Sequence, residues 1–147
     1  MKDLPKDLEQ ILKETKEKID KFGWTVIASE LEDNFPLAYT VGLWKNFNHP
    51  EIALTGLPHK VANEVLNTVA ELVSKGSTFA AGDRSTEVLH DYPVAFASIG
   101  QAPLGAAKSI EPDFTAIQLI WPDIDGKFPS EEGSKGAPQV LLSESVN

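Results

Sequence analysis

Apolar residues return at helical spacing in two long stretches of this chain of 147 residues. Over residues 3–22, Leu4, Leu8, Ile11, Leu12, Thr15, Ile19 and Phe22 trace one largely apolar face, which predicts an amphipathic helix. Asp3 is placed to cap it and Gly23 to end it. Its other face pairs Glu9 with Lys13, Glu14 with Lys18 and Glu17 with Lys21, acid before base at a spacing of four. Each such pair is worth about 0.2–0.5 kcal/mol and marks solvated surface, not a binding site. A second helix is predicted over 58–75, where Val61, Val65, Leu66, Val69, Leu72 and Val73 share a face. Pro58 suits its first turn and Gly76 its end.

The remaining apolar runs are short and β-rich. Segments 24–29, 37–43 and 51–55 read as strands separated by turn-forming stretches at 32–36 and 45–50, close enough to be neighbours in a meander. Segments 78–81, 93–99 and 115–121 read as further strands. The last, with Ile117, Leu119 and Trp121 on one face and Ile120 on the other, suits a central position. Helix, consecutive strands, helix and more strands is not the steady alternation of a doubly wound sheet. The expected fold is α+β, a mainly antiparallel sheet with two principal helices packed on one side of it. The domain spans 1–129. The Gly-, Ser-, Glu- and Lys-rich remainder, 130–147, reads as a partly mobile tail in which 140–142 could dock back as an edge strand.

Composition narrows the chemistry more than the fold. With 41% hydrophobic and 24% charged residues the chain has a globular balance, and a domain of this size buries roughly 70% of its unfolded surface. No cysteine is present, so thiolate metal sites, disulfides and a cysteine nucleophile are excluded. No apolar run reaches the roughly 18 residues of a membrane span, and the charged start MKDLPKDLEQ is unlike a signal peptide, which predicts a cytoplasmic protein away from membranes. The net charge of −9 disfavours nucleic acid as a partner and suits a freely soluble chain or one that meets a basic protein.

The chemistry-bearing residues fall in loops. His49 and Glu51, in Asn48-His-Pro-Glu51, could act as base and orienter, or as two ligands of a metal, although two ligands alone do not make a metal site. Asp83, Arg84, His90 and Asp91 give the stretch 82–92 a cation, two carboxylates and an imidazole. Folded beside His49 and Glu51, that stretch would complete an acid–base pocket. His59, at a helix start, could serve as a neutral donor or base, or simply be an exposed residue. In the strand 37–43, Ala38, Thr40 and Gly42 form a small-residue face open to close approach by backbone or ligand. Tyr39 on that strand and Trp44 just after it are candidate ligand contacts. Asp123-Ile-Asp-Gly126 is part of a calcium-loop pattern, but its twelfth position is Ser134 where a bidentate Glu is needed, so it reads as a turn.

The order Tyr39-Thr-Val-Gly-Leu43, His49-Pro-Glu51, Gly56-Leu-Pro58 and Ile117-Gln-Leu-Ile-Trp-Pro-Asp-Ile-Asp-Gly-Lys-Phe-Pro129 resembles a small bacterial family known as domain of unknown function forty-two sixty-two. The resemblance runs over about 19–129 and implies membership but no activity. It names no cofactor. Without a nucleophile elbow, a phosphate-binding loop, a zinc-protease motif or a dinucleotide fingerprint, the leading expectation is a small acidic non-enzymatic module that binds a protein partner or a second copy of itself. The alternative is a small-molecule or metal-binding, hydrolase-like enzyme built on the His/Asp/Glu loops.

Overall fold

The computed structural model describes residues 6–89, 92–101, 103–122 and 142. In chain order the elements are α1 (Lys6–Phe22), β1 (Thr25–Glu30), a 3-10 turn (Glu32–Asn34), β2 (Pro36–Val41), α2 (Leu43–Phe47), β3 (Glu51–Thr55), α3 (His59–Ser74), β4 (Arg84–Leu89), β5 (Tyr92–Ile99), α4 (Gly105–Ile110) and β6 (Ala116–Ile120). The six strands form one sheet in the order β1-β2-β3-β6-β5-β4. Every neighbouring pair is antiparallel except the central one, where β3 runs parallel to β6 with Ile52 opposite Ile117. The fold is therefore α+β with a mixed, mostly antiparallel sheet. The succession helix, strand, strand, short helix, strand occurs twice, in 6–55 and in 59–120, and the two halves meet at the parallel seam.

Helices cover both faces of this sheet, not one. The reason lies in the central strands. All five residues of β3 and five of the six in β2 are buried, so both faces of these strands must be covered. On one face α3 lays Ala62, Leu66, Val69, Ala70 and Val73 against Ala38, Ile52, Leu54, Ile117 and Leu119. A side chain buried as fully as Leu66 contributes about 1.5–3 kcal/mol. On the other, Ile19 from α1 and Leu104 and Ala107 from the α4 region pack with Leu37, Tyr39, Val41, Ala53 and Phe114. Leu142 joins this second cluster and its backbone N–H donates to Gln118 Oε1 at 2.8 Å. Its backbone is helical, not the extended edge strand expected there.

The apolar stripe of α1 is only partly used. Thr15 and Ile19 are buried, whereas Ile11 and Phe22 remain 51% and 61% exposed. The segment 78–81, expected as a strand, belongs to no ladder, although Phe79 within it is buried. The strand lies instead at Arg84–Leu89, an edge strand with only Val88 buried, and its polar exposed face carries no apolar alternation. Two short helices, α2 and α4, stand where the sequence suggested only loop.

Candidate functional site

Strand β2 ends at Gly42, where the chain turns at φ 116° into α2. A Cβ there would sit 2.6 Å from the Gly23 carbonyl oxygen and 2.8 Å from the Trp24 Cα, so only glycine fits. The small-residue face of β2 is thus filled by close backbone approach at Gly42 and by α3 at Ala38, not by a ligand. The turn leaves the first backbone donors of α2 without helical acceptors, and no local side chain caps them.

Two carboxyl groups from distant elements do so. Glu51, the first residue of β3 and fully buried, accepts from the N–H groups of Gly42 at 2.9 Å, Leu43 at 3.3 Å and Trp44 at 3.0 Å. It also accepts from the Thr40 hydroxyl at 2.7 Å, and Thr40 Oγ1 in turn accepts from Ile52 N–H. Glu111, at the end of α4, accepts from the next donor, Lys45 N–H, through Oε1 at 3.1 Å. Four successive N–H groups therefore form a concave nest around carboxylate oxygens, the arrangement by which backbone holds an anion.

Glu111 is also the neighbouring acidic group that acts on Glu51. Burial above all, and then the Glu111 carboxyl, push Glu51 well above the usual carboxylate range, against the Trp44 N–H and the Thr40 hydroxyl that favour its charged form. Glu111 is 6% exposed and its Oε2 is buried with no hydrogen-bond partner among the described residues. The only side-chain cation on α2 is no relief, since the Lys45 ammonium lies 3.9 Å from Asp20 on the surface.

Glu111 also borders an open depression of about 320 Å³ whose other walls are Trp44, Lys45, Ile110, Pro112 and Asp113. Trp44, a candidate ligand contact, is thus brought beside Glu51 and Glu111. Glu111 itself carries no local sequence signal, because Ile110-Glu-Pro-Asp113 reads as a turn and its partner lies 60 positions earlier in the chain.

The other candidate residues are placed elsewhere. His49 is buried and both ring nitrogens are engaged. Nδ1 lies 2.8 Å from the Pro50 carbonyl, and Nε2 accepts the Phe79 N–H at 2.9 Å. The Pro50 oxygen can only accept, so the proton sits on Nδ1 and the ring is neutral. Burial lowers its pKa below the usual imidazole range, opposed by the Pro50 carbonyl. His49 thus cross-links the loop before β3 to the segment before β4. Tyr39 is buried and its hydroxyl accepts the Ala106 N–H at 3.1 Å, while burial raises its pKa. Asp83 and Arg84 border a separate polar depression of about 330 Å³ with Thr78, Phe79 and Glu87, and Asp83 Oδ2 accepts the Ala80 N–H at 2.9 Å. His59 is exposed, with Nε2 3.0 Å from the Ser29 carbonyl. His90, Asp91 and the turn 123–126 lie outside the described residues. Among the described residues no group of three or more His, Asp or Glu side chains is arranged to hold a metal ion, and no helix is long and apolar enough to cross a membrane.

Thr40, Gly42, Trp44, His49 and Glu51, spread over the Tyr39-to-Glu51 motifs of the sequence, are thus parts of one folded unit around the nest. No curated protein and no solved structure matches the chain. A family model described as domain of unknown function (DUF4262) matches residues 18–135, most of the chain and all of this unit. This protein belongs to that family.

Proposed function

We propose that this chain is a small acidic interaction module, without catalysis of its own, that docks a protein partner at the Trp44 depression through an arginine or lysine side chain of that partner. The observation that carries the reading is Glu111, a buried acidic residue that borders the depression together with Trp44 and that no cation among the described residues pairs with. A guanidinium stacked on Trp44 would gain a cation–π contact and a charge-assisted hydrogen bond to the exposed Asp113 carboxylate together. Buried Glu111 beneath it adds to the local acidity, and the chain's net charge of −9 steers basic partners toward the site. The reading includes a bacterial cytoplasmic setting, in keeping with a chain free of cysteine.

The test is titration with the peptide acetyl-Gly-Arg-Gly-amide, followed by tryptophan fluorescence and by the Trp44 indole signal in NMR. Saturable binding with a Kd on the order of 1 mM is expected for one anchor of this kind. Trp44→Ala and Asp113→Asn should each weaken it. Equal binding of the uncharged acetyl-Gly-Gln-Gly-amide would remove the reading. Light scattering on the purified protein separates the second occupant: a dimer that Trp44→Ala dissolves would mean that the depression receives another copy of this chain.

A further inference from the structure

We propose that the depression between α1, the start of β1 and α3 is a second binding site, for a small molecule made of a flat aromatic ring that carries a carboxylate or phosphate group. It shares no wall with the Trp44 depression and does not depend on the docking reading above.

The depression has a volume of about 410 Å³, within the range of small-molecule sites. Lys18 and Phe22 from α1, Trp24 at the start of β1, and Asn63 and Asn67 from α3 give it its character. Its polar groups offer donors. The Trp24 indole N–H can only donate, so the Asn67 atom 2.9 Å away is the amide oxygen, and the amide nitrogen with its two N–H bonds is the end left over. Asn63 stands four residues before Asn67, on the same face of α3. Among the described residues neither the Asn67 amide nitrogen nor the Asn63 amide has a hydrogen-bond partner.

Lys18 is the one charged wall. Its ammonium pairs with no carboxylate among the described residues: Glu14, one turn earlier, accepts from Gln10 at 3.0 Å, and Asp20 lies 3.9 Å from the Lys45 ammonium. A cation without a carboxylate beside it is unusual in a chain of net charge −9. The Trp44 depression carries Glu111 and Asp113, and the Arg84 depression carries Asp83 and Glu87. An anion that those two repel is answered here. The same net charge turns away long polyanions, so the ligand that fits is a small molecule and not a nucleic acid.

Two aromatic rings supply the rest. Phe22 ends α1 and stays 61% exposed, with the Lys21 ammonium 5.4 Å from the centroid of its ring. Trp24 is half-buried and held both by its bond to Asn67 and by Phe47, the two ring centroids 6.3 Å apart. A flat aromatic body gains ring contacts against such walls, and its anionic group gains charge-assisted hydrogen bonds from the Lys18 ammonium and the Asn67 amide.

The test is an NMR titration followed at the Trp24 indole N–H and the Asn67 side-chain amide. The probes are naphthoate and adenosine monophosphate, with adenosine and inorganic phosphate as the separate halves of the second. Saturable shifts with a Kd on the order of 1 mM are expected from at least one probe, and which of them responds tells carboxylate from phosphate. Asn67→Asp keeps an acceptor for Trp24 but puts a negative charge in place of the donors, and should weaken binding about tenfold or more. Lys18→Gln and Phe22→Ala change exposed side chains only, and should each weaken it about fivefold. Binding untouched by Lys18→Gln and Asn67→Asp overturns the proposal. So does adenosine or inorganic phosphate binding as tightly as adenosine monophosphate, since ring and anion are then not needed together. An absence of shifts from both probes at about 10 mM overturns it as well.

Discussion

Two tryptophans stand at opposite ends of β3, each beside a depression of almost equal size, about 320 Å³ at Trp44 and about 310 Å³ at Trp121. At the Trp121 end the walls are Leu57, Val61, Val65, Leu89 and Tyr92, and the indole N–H donates to the Thr55 carbonyl at 3.0 Å. Its indole N–H is used internally, and the walls around it are largely apolar. At the Trp44 end the strand begins with Glu51, and the wall includes Glu111, whose buried Oε2 has no partner among the described residues. An aromatic wall and a given volume are thus common to both ends. What separates a docking candidate from ordinary surface relief is a buried carboxyl that no cation among the described residues answers.

The sharpest way to break this contrast is Gly42→Ala. It forces a side chain into positive φ against the Gly23–Trp24 backbone, and should destabilise the protein by about 3 kcal/mol or more in urea unfolding. A loss under about 1 kcal/mol would mean the Trp44 turn is not rigidly built. Next in size is Glu51→Ala, which leaves three backbone N–H groups and the Thr40 hydroxyl without their acceptor, a cost of about 3 kcal/mol. Its counterpart at the other end, Trp121→Phe, removes one neutral hydrogen bond and should cost about 1 kcal/mol. Equal losses at the two ends would erase the distinction. His49→Ala, which orphans the buried Phe79 N–H, falls between them at about 2 kcal/mol.

Acidity sharpens the contrast with smaller effects of opposite sign. His49 has a folded pKa below its unfolded value, so its contribution is present above the unfolded pKa near 6.5 and fades as pH falls toward the folded one. Glu51 has a raised folded pKa, so its contribution is present below its unfolded value near 4.5 and fades as pH climbs through the folded one. Thermal unfolding across pH should show both limbs, with His49→Ala flattening the acid limb and Glu111→Gln the alkaline one.

Much of the scaffold was legible because long periodic runs and alternating strands carry their signal locally. β3 falls on 51–55 as read, and α3 lies one residue inside each end of the expected 58–75. α2 and α4, of five and six residues, are too short for a helical period to register, and α2 takes its caps from Glu51 and Glu111 instead of from its own neighbours. β4 was hidden for the opposite reason, since Arg84-Ser-Thr-Glu87 has the polarity of an exposed edge. At the site, the Tyr39-to-Trp44 and His49-to-Glu51 motifs were visible as unusual, but their meaning depends on Glu111, which only the tertiary fold brings near.

The parallel seam between β3 and β6 gives the carboxyl pair a place in the order of folding. Glu51 belongs to the first half of the chain and Glu111 to the second, and the strands that bring them together are more than 60 residues apart. Contacts of that range form after local ones, because a long loop must first close. A half-formed chain would leave the Lys45 N–H to water, and Glu111 would reach it only as the halves dock. Stopped-flow refolding followed by tryptophan fluorescence, compared between the wild type and Glu111→Gln, would then time the closing of the seam.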